Sequence, residues 1–216
     1  MTAATPTQPL STLLLLVRHG ETPTTGMVLP GRAPGLHLSD RGRDQAERVA
    51  ERLSGLEVSA IYSSPLERTL ETAEPAATRA GLEAFVEAGL IECDFGDWTG
   101  ARLADLQGLP EWRSVQQNPS AFRFPNGESF PQMQERIVGA LEGVRAAHTG
   151  GVVVCFSHAV PIKAAVAYAL GTPLDLFQRI FISPGSLSAI AYVDGRAPSV
   201  LMVNSTTEPL SGLRAT

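Results

Sequence analysis

Apolar residues in this sequence gather in short dense runs, and between them lie stretches with a helical period. Residues 13 to 17 read LLLLV without a break. The run lacks the alternation of a half-exposed strand, and it predicts a strand over 12–18 that is buried on both faces. From Ser39 to Gly55 the spacing becomes helical, with Ala46, Val49, Ala50 and Leu53 on one face. Ser39 is placed as N-cap and Gly55 lies past the end. VSAIYSS then reads as a short strand, and SPLERTLETAEPAATRAG as a helix capped by Ser64. Pro65 would take its first position, Glu67 would complete a capping box, and Pro75 would kink or divide it.

The same alternation continues to the end. A strand near 83–86 is followed by a helix from Ser129 to about Ala147, an apolar strand over 151–156 and a mostly apolar helix from Val160 to Leu170. Strands near 187–193 and 199–204 come last. Strands alternating with helices predict an α/β fold around a parallel sheet, with an antiparallel edge supplied by the final hairpin. Residues 1–11 and the tail from about Glu208 carry no periodic apolar pattern and are expected to be loose. Residues 12–207 are expected to form one domain, since 216 residues with 44% apolar and 18% charged side chains can bury one sizeable core.

Charge and cysteine usage narrow the function. A net charge of -5 and a pI near 5.4 argue against a general binder of nucleic acid or anionic membrane. No run reaches the length of a membrane span, and the Leu10–Val17 stretch lacks a basic leader and a cleavage pattern, so a cytoplasmic protein is expected. Cys93 and Cys155 are too few for a disulfide framework, and Cys155 reads as a buried strand thiol.

Three strand ends carry cationic or imidazole groups: Arg18 and His19 after LLLLV, Arg68 in the first helical turn after IYSS, and His158 after VVVCFS. In an open α/β sheet, ligands gather beyond the carboxyl ends of the strands. Clustered cations repel one another, and an anion placed among them, with helix N-termini at the same edge, turns that cost into a gain. The pattern suits a phosphate. A neutral imidazole at His19 can attack phosphorus in line while arginines hold the equatorial oxygens. The leaving oxygen then needs a proton, and LIECDFGDWTG offers Glu92 and Asp94, between which spacing does not choose.

Six segments in order, LVRHGET, LSDRGRDQA, IYSSPLERTLETA, LIECDFGDWTG, PNGESF and VVVCFSHAVPI, span residues 13 to 205 together with the last strands. In them the chain closely resembles the histidine phosphatase superfamily, in its phosphoglycerate-mutase-like branch. The resemblance implies a three-layer α/β/α fold with a mixed, mostly parallel sheet of six strands. It implies that His19 is the phosphorylated nucleophile, that Arg18, Arg68 and His158 bind the phosphoryl group, and that Glu92 donates the proton and later activates water. Residues 101–126 would form a small cap. No metal and no cofactor is expected, the substrate is a small phosphomonoester, and a homodimer stays open because many relatives dimerise.

Two positions depart from the family pattern. Thr25 stands where many members have asparagine, and Ala159 where glycine usually follows the late SH. A threonine hydroxyl and a backbone N–H can still meet an oxyanion, so both remain candidate substrate contacts, with altered specificity or rate expected. Arg32 and His37 are read equally well as pocket rim or surface loop.

Rival chemistries fit less well. His19 and His158 with a carboxylate could ligate a metal, but no H-x-H or H-E-x-x-H spacing exists and the arginines would repel a cation. CFSHA lacks the glycines of a nucleophile elbow. A phosphate-binding scaffold without turnover would not need every catalytic position filled. Within the family, the cofactor-dependent phosphoglycerate mutases carry a much longer insertion with an adjacent arginine pair, whereas here Arg102, Arg113 and Arg123 are separated. The expected activity is therefore phosphomonoester hydrolysis, with 2,3-bisphosphoglycerate-dependent mutase chemistry as the alternative. The insert's Leu103, Leu106, Leu109, Trp112, Phe122 and Phe124 are expected mainly to pack it onto the body.

Overall fold

A computed structural model describes residues 10–208. The loose ends expected at 1–9 and 209–216 lie outside the described residues. Ser11, expected in the loose N-terminus, instead begins the first strand, where it pairs with Val193.

Six strands and six α-helices follow one another: β1 Ser11–Arg18, α1 Asp40–Leu53, β2 Val58–Ser63, α2 Glu67–Ala80, β3 Ala84–Val86, α3 Leu103–Gln107, α4 Pro110–Gln117, α5 Phe130–Ala147, β4 Val152–Ser157, α6 Ala159–Ala169, β5 Leu187–Val193 and β6 Ser199–Ser205. The strands form one sheet in the order β3-β2-β4-β1-β5-β6. The first four positions in that order are parallel, and β5 and β6 are antiparallel to their neighbours. This is the mixed α/β architecture that the alternation predicted, and the antiparallel portion is the final hairpin.

The unbroken apolar runs are explained by what covers them. In β1, Leu14 and Leu16 enter one hydrophobic cluster, while Leu15 and Val17 enter the other. In β4, Val153 and Cys155 share the first side, and Val154 and Phe156 the second. One face is covered by α1 and α2 through Val49, Ala50, Leu53, Ala73, Ala76 and Ala77. The other is covered by α5 and α6, joined by the aromatic residues of the 95–130 region. A strand in the middle of three layers needs apolar side chains at every position, which removes the period of two.

Helix starts were legible in two cases and misread in one. Ser39 caps α1 by accepting the Gly42 amide at 3.1 Å, and Ser129 caps α5 in a full capping box with Gln132. Ser64 does not cap α2: that helix begins at Glu67, after Leu66, and the Ser64 hydroxyl is hydrogen-bonded to His158 Nε2 at 2.8 Å. Glu67, freed from the capping box, accepts the Gly35 amide at 3.0 Å. Pro75 does not divide α2, which runs through it. Burial of Ala73, Ala76 and Ala77 on either side offsets the loss of about 3 kcal/mol that an internal proline costs.

The first turn of α1 lies directly on the end of β1. A Cβ on Gly42 would collide with the Glu21 carbonyl oxygen, and a Cβ on Gly20 with the Gly42 carbonyl oxygen. Two stretches of backbone are in contact there, with no flexible side chain able to yield. Gly42→Ala is expected to destabilise the fold by about 3 kcal/mol, at the upper end of overpacking effects. A lowered urea midpoint at unchanged slope would register it.

Candidate active site

The carboxyl ends of β1, β2 and β4 are adjacent, so three separate stretches of sequence deliver their polar residues to one place. β1 ends at Arg18 with His19 directly after it, β2 leads into Ser64 and then Arg68 in the first turn of α2, and β4 ends at Ser157 with His158 as the N-cap of α6. His19, Arg68 and His158 are all buried, Arg68 and His158 with no exposed surface at all.

His19 is oriented from its own backbone. Its Nδ1 lies 2.7 Å from the Gly20 carbonyl oxygen, which can only accept, so Nδ1 carries the proton and Nε2 is left as an acceptor. Arg68 Nε points at that Nε2 from 3.3 Å. Gly20 is itself held, its amide donating to the Thr72 hydroxyl at 3.0 Å. The His158 ring stands edge-on to the His19 ring, with centroids 5.2 Å apart. Burial, Arg18 and Arg68 together hold the His19 pKa well below the usual imidazole range, and burial does the same for His158. Both rings are neutral at physiological pH.

The two arginines are anchored at one end and open at the other. Arg18 Nη1 donates to the Ile182 carbonyl at 2.7 Å, and Arg68 Nη2 to the Gly31 carbonyl at 2.8 Å. Burial lowers the Arg18 pKa to about 10, which still leaves it charged. Arg18 Nε, Arg68 Nη1 and His158 Nδ1 are buried and have no hydrogen-bond partner among the described residues. A buried unpaired donor costs about 1–3 kcal/mol, more when charged. A tetrahedral oxyanion is the ligand that would satisfy several such donors at once.

Glu92 is the carboxyl that faces this cluster. It is 7% exposed, and its charge acts on both Arg18 and Arg68. Burial raises its pKa, against the Cys93 amide, which donates to Oε1 at 2.9 Å, and against the arginines. Asp94 is turned away, its Oδ1 accepting the Gly96 amide at 3.0 Å and its side chain 40% exposed. Cys93 and Cys155 are both buried with no exposed surface, and burial pushes the Cys155 thiol up to about 12.

The loop bearing Glu92 is gripped from behind by residues the motifs did not single out. Arg136 of α5 donates to the carbonyls of Gly89 and Ile91 at 2.8 and 2.9 Å, and to that of Glu92 at 3.3 Å. Its guanidinium also forms a two-pronged pair with Glu128 at 2.8 and 3.0 Å. Arg32, which sequence left between rim and surface, donates Nε to the same Glu92 carbonyl at 2.8 Å and pairs with Glu128 at 2.9 Å. A signal for Arg136 was available: it sits three residues after Met133 and one before Ile137, on the buried stripe of α5.

The remaining candidates are placed differently. The Thr25 hydroxyl lies 2.9 Å from the Thr22 amide and 3.0 Å from the Thr22 hydroxyl, closing the turn after β1. Ala159 opens α6, where first-turn amides lack partners within the helix. His37 is exposed and pairs with Glu71. Arg102, Arg113 and Arg123 are all exposed.

Comparison with known proteins shows the family and fold to which the chain is similar. Residues 14–206 match the family model described as histidine phosphatase superfamily (branch 1). The chain is 36% identical over 198 residues to phosphoserine phosphatase 1 of Hydrogenobacter thermophilus, covering 89% of this chain and 92% of that one. It is 32% identical over 180 residues to the probable phosphoglycerate mutase GpmB of Cronobacter sakazakii, covering 82% and 83% respectively. Among solved structures, the mycobacterial glucosyl-3-phosphoglycerate phosphatase Rv2419c superimposes with a TM-score of 0.81 at 25% identity, over 91% of this chain and all of that one. A match that takes in nearly every described residue, from β1 to β6, places this chain in the histidine phosphatase superfamily, branch 1.

Proposed function

We propose that the chain is a phosphomonoesterase that works through a phosphohistidine on His19 and acts in the cytoplasm on a small phosphorylated metabolite. The observation that carries the reading is the His19 ring, held by Gly20 so that Nε2 is unprotonated and accepts from Arg68 Nε, a donor that an incoming phosphoryl oxygen can take over.

In the first step Nε2 attacks phosphorus as the bond to the ester oxygen breaks. Arg18, Arg68 and His158 take the equatorial oxygens, and the departing oxygen receives the proton of Glu92. In the second step the Glu92 carboxylate accepts a proton from water, which attacks phosphorus, breaks the N–P bond and releases phosphate. The chain's own groups supply every part of this cycle. Thr25 would act through the turn it closes, and the Ala159 amide through the α6 terminus. Residues 101–126 form the cap over the site in this reading.

The proposal follows the relatives named for phosphoserine and glucosyl-3-phosphoglycerate hydrolysis more closely than the one named as a probable mutase. A mutase would need cations placed to hold a second phosphate, and Arg102, Arg113 and Arg123 are exposed and separated along the chain. The test is a panel of phosphomonoesters, including 3-phosphoglycerate with and without 2,3-bisphosphoglycerate, followed for both free phosphate and 2-phosphoglycerate. Phosphate release is the expected result. Formation of 2-phosphoglycerate outpacing phosphate release would make the protein a mutase.

A further inference from the structure

The chain contains one lysine, Lys163. It stands one helical turn beyond Ala159 on α6, whose N-terminus is capped by His158. Helical side chains lean back toward the N-terminus, so the lysine stem runs toward the end of α6 that borders the phosphoryl site. The side chain is partly buried, and its Nζ lies 3.2 Å from Gln178 Oε1. Gln178 belongs to the turn Leu174–Arg179, and Ile182, just beyond that turn, is the residue whose carbonyl anchors Arg18. The turn that holds Gln178 against Lys163 thus leads within four residues to the carbonyl that anchors Arg18.

No carboxylate of the described residues lies within ion-pair distance of Lys163, whose recorded polar contact is the neutral Gln178 amide. Burial and the charge of Arg18 lower its pKa, and Glu92 only partly opposes them. A lysine used for structure would be expected to find an acid or full solvent. Here its polar partner is a neutral amide.

Charge matching says what would complete it. In the proposed starting state His19 and His158 are neutral and Glu92 is protonated, so none of the three contributes charge. A phosphomonoester dianion meets Arg18 and Arg68, on which the carboxylates of Glu21 and Glu67 also act. Lys163 has no carboxylate within ion-pair distance among the described residues, and a substrate with an additional negative group would supply one.

We propose that Lys163, steadied by Gln178, is the subsite for a carboxylate carried by the substrate, so that the preferred substrates are phosphorylated hydroxy or amino acids. This inference rests on the phosphomonoesterase reading above.

The test uses 3-phosphoglycerate and glycerol 3-phosphate, which differ in having a carboxylate or a hydroxymethyl group at one carbon. Binding of each is measured calorimetrically to the His19→Ala chain, with and without Lys163→Met or Lys163→Arg, alongside wild-type hydrolysis of both. Lys163→Met is expected to weaken 3-phosphoglycerate binding about 10- to 100-fold and to change glycerol 3-phosphate by less than about threefold, with Lys163→Arg restoring much of the loss. Equal weakening of both ligands, or no weakening of either, would overturn the subsite. If instead His19→Ala still releases phosphate, the phosphohistidine reading fails, and the difference between the two ligands still decides the role of Lys163.

Discussion

His19→Ala is expected to lower kcat for phosphomonoester hydrolysis by about four orders of magnitude or more, the scale of removing a covalent nucleophile. The binding apparatus should survive, because Arg18, Arg68 and His158 are anchored by contacts other than His19: the Ile182 carbonyl, the Gly31 carbonyl and the Ser64 hydroxyl. Inorganic phosphate should therefore bind the variant within about tenfold of wild type, since the charge-assisted donors remain. Rapid quench of wild type with a labelled substrate should trap phosphate on the protein in an acid-labile, base-stable form, and the variant should trap none. A variant hydrolysing within about tenfold of wild type would assign the attack to water acting directly.

Glu92→Gln should lower kcat for an alkyl phosphate by about 100- to 1,000-fold, the size of a general acid–base contribution. The loss should depend on the leaving group. A nitrophenolate leaves without a proton, so with p-nitrophenyl phosphate the first step should persist while the second, which needs the carboxylate as base, stalls. A burst of nitrophenol equal to the enzyme concentration would follow. The pH profile gives an independent sign. Activity in the wild type is lost on the acid side as His19 protonates, below the ordinary imidazole range because its pKa is held down. It is lost on the alkaline side as Glu92 ionises, above the ordinary carboxyl range because burial raises it. Glu92→Gln should remove the alkaline limb and leave the acid one. If both substrates lose the same factor and no burst forms, another group supplies the proton.

Much of this was legible before any coordinates. The apolar runs of β1 and β4 announced strands covered on both faces, and the caps at Ser39 and Ser129 were read correctly. The motifs RHG, SSPLER and SH were legible as a set because each follows a strand, and parallel strands end on the same side. The failures share a cause. Ser64 offered a good local cap, but a histidine 94 residues away competes for its hydroxyl. Pro75 has an unfavourable local preference that tertiary burial overrides. Arg32, Glu128 and Arg136 form their network across three separated segments, and pairing of that kind leaves no periodic trace. Sequence patterns report what neighbours along the chain prefer, whereas the support behind an active site is made by neighbours in space.

The position of β1 has a consequence for how the molecule is made. It is one of the two central strands, with β4 on one side and β5 on the other. Both neighbours are thus synthesised more than 130 residues after it, and tertiary contacts at its two ends span 138 and 164 residues. As translation proceeds, His19 leaves the ribosome well before β4 and β5, attached to an apolar segment that has neither strand to pair with. Loop closures of that length slow folding, and an unpaired strand invites association with other chains. The nascent polypeptide must keep LLLLV from doing so until β4 and β5 have emerged, and competence for chemistry arrives together with completion of the sheet.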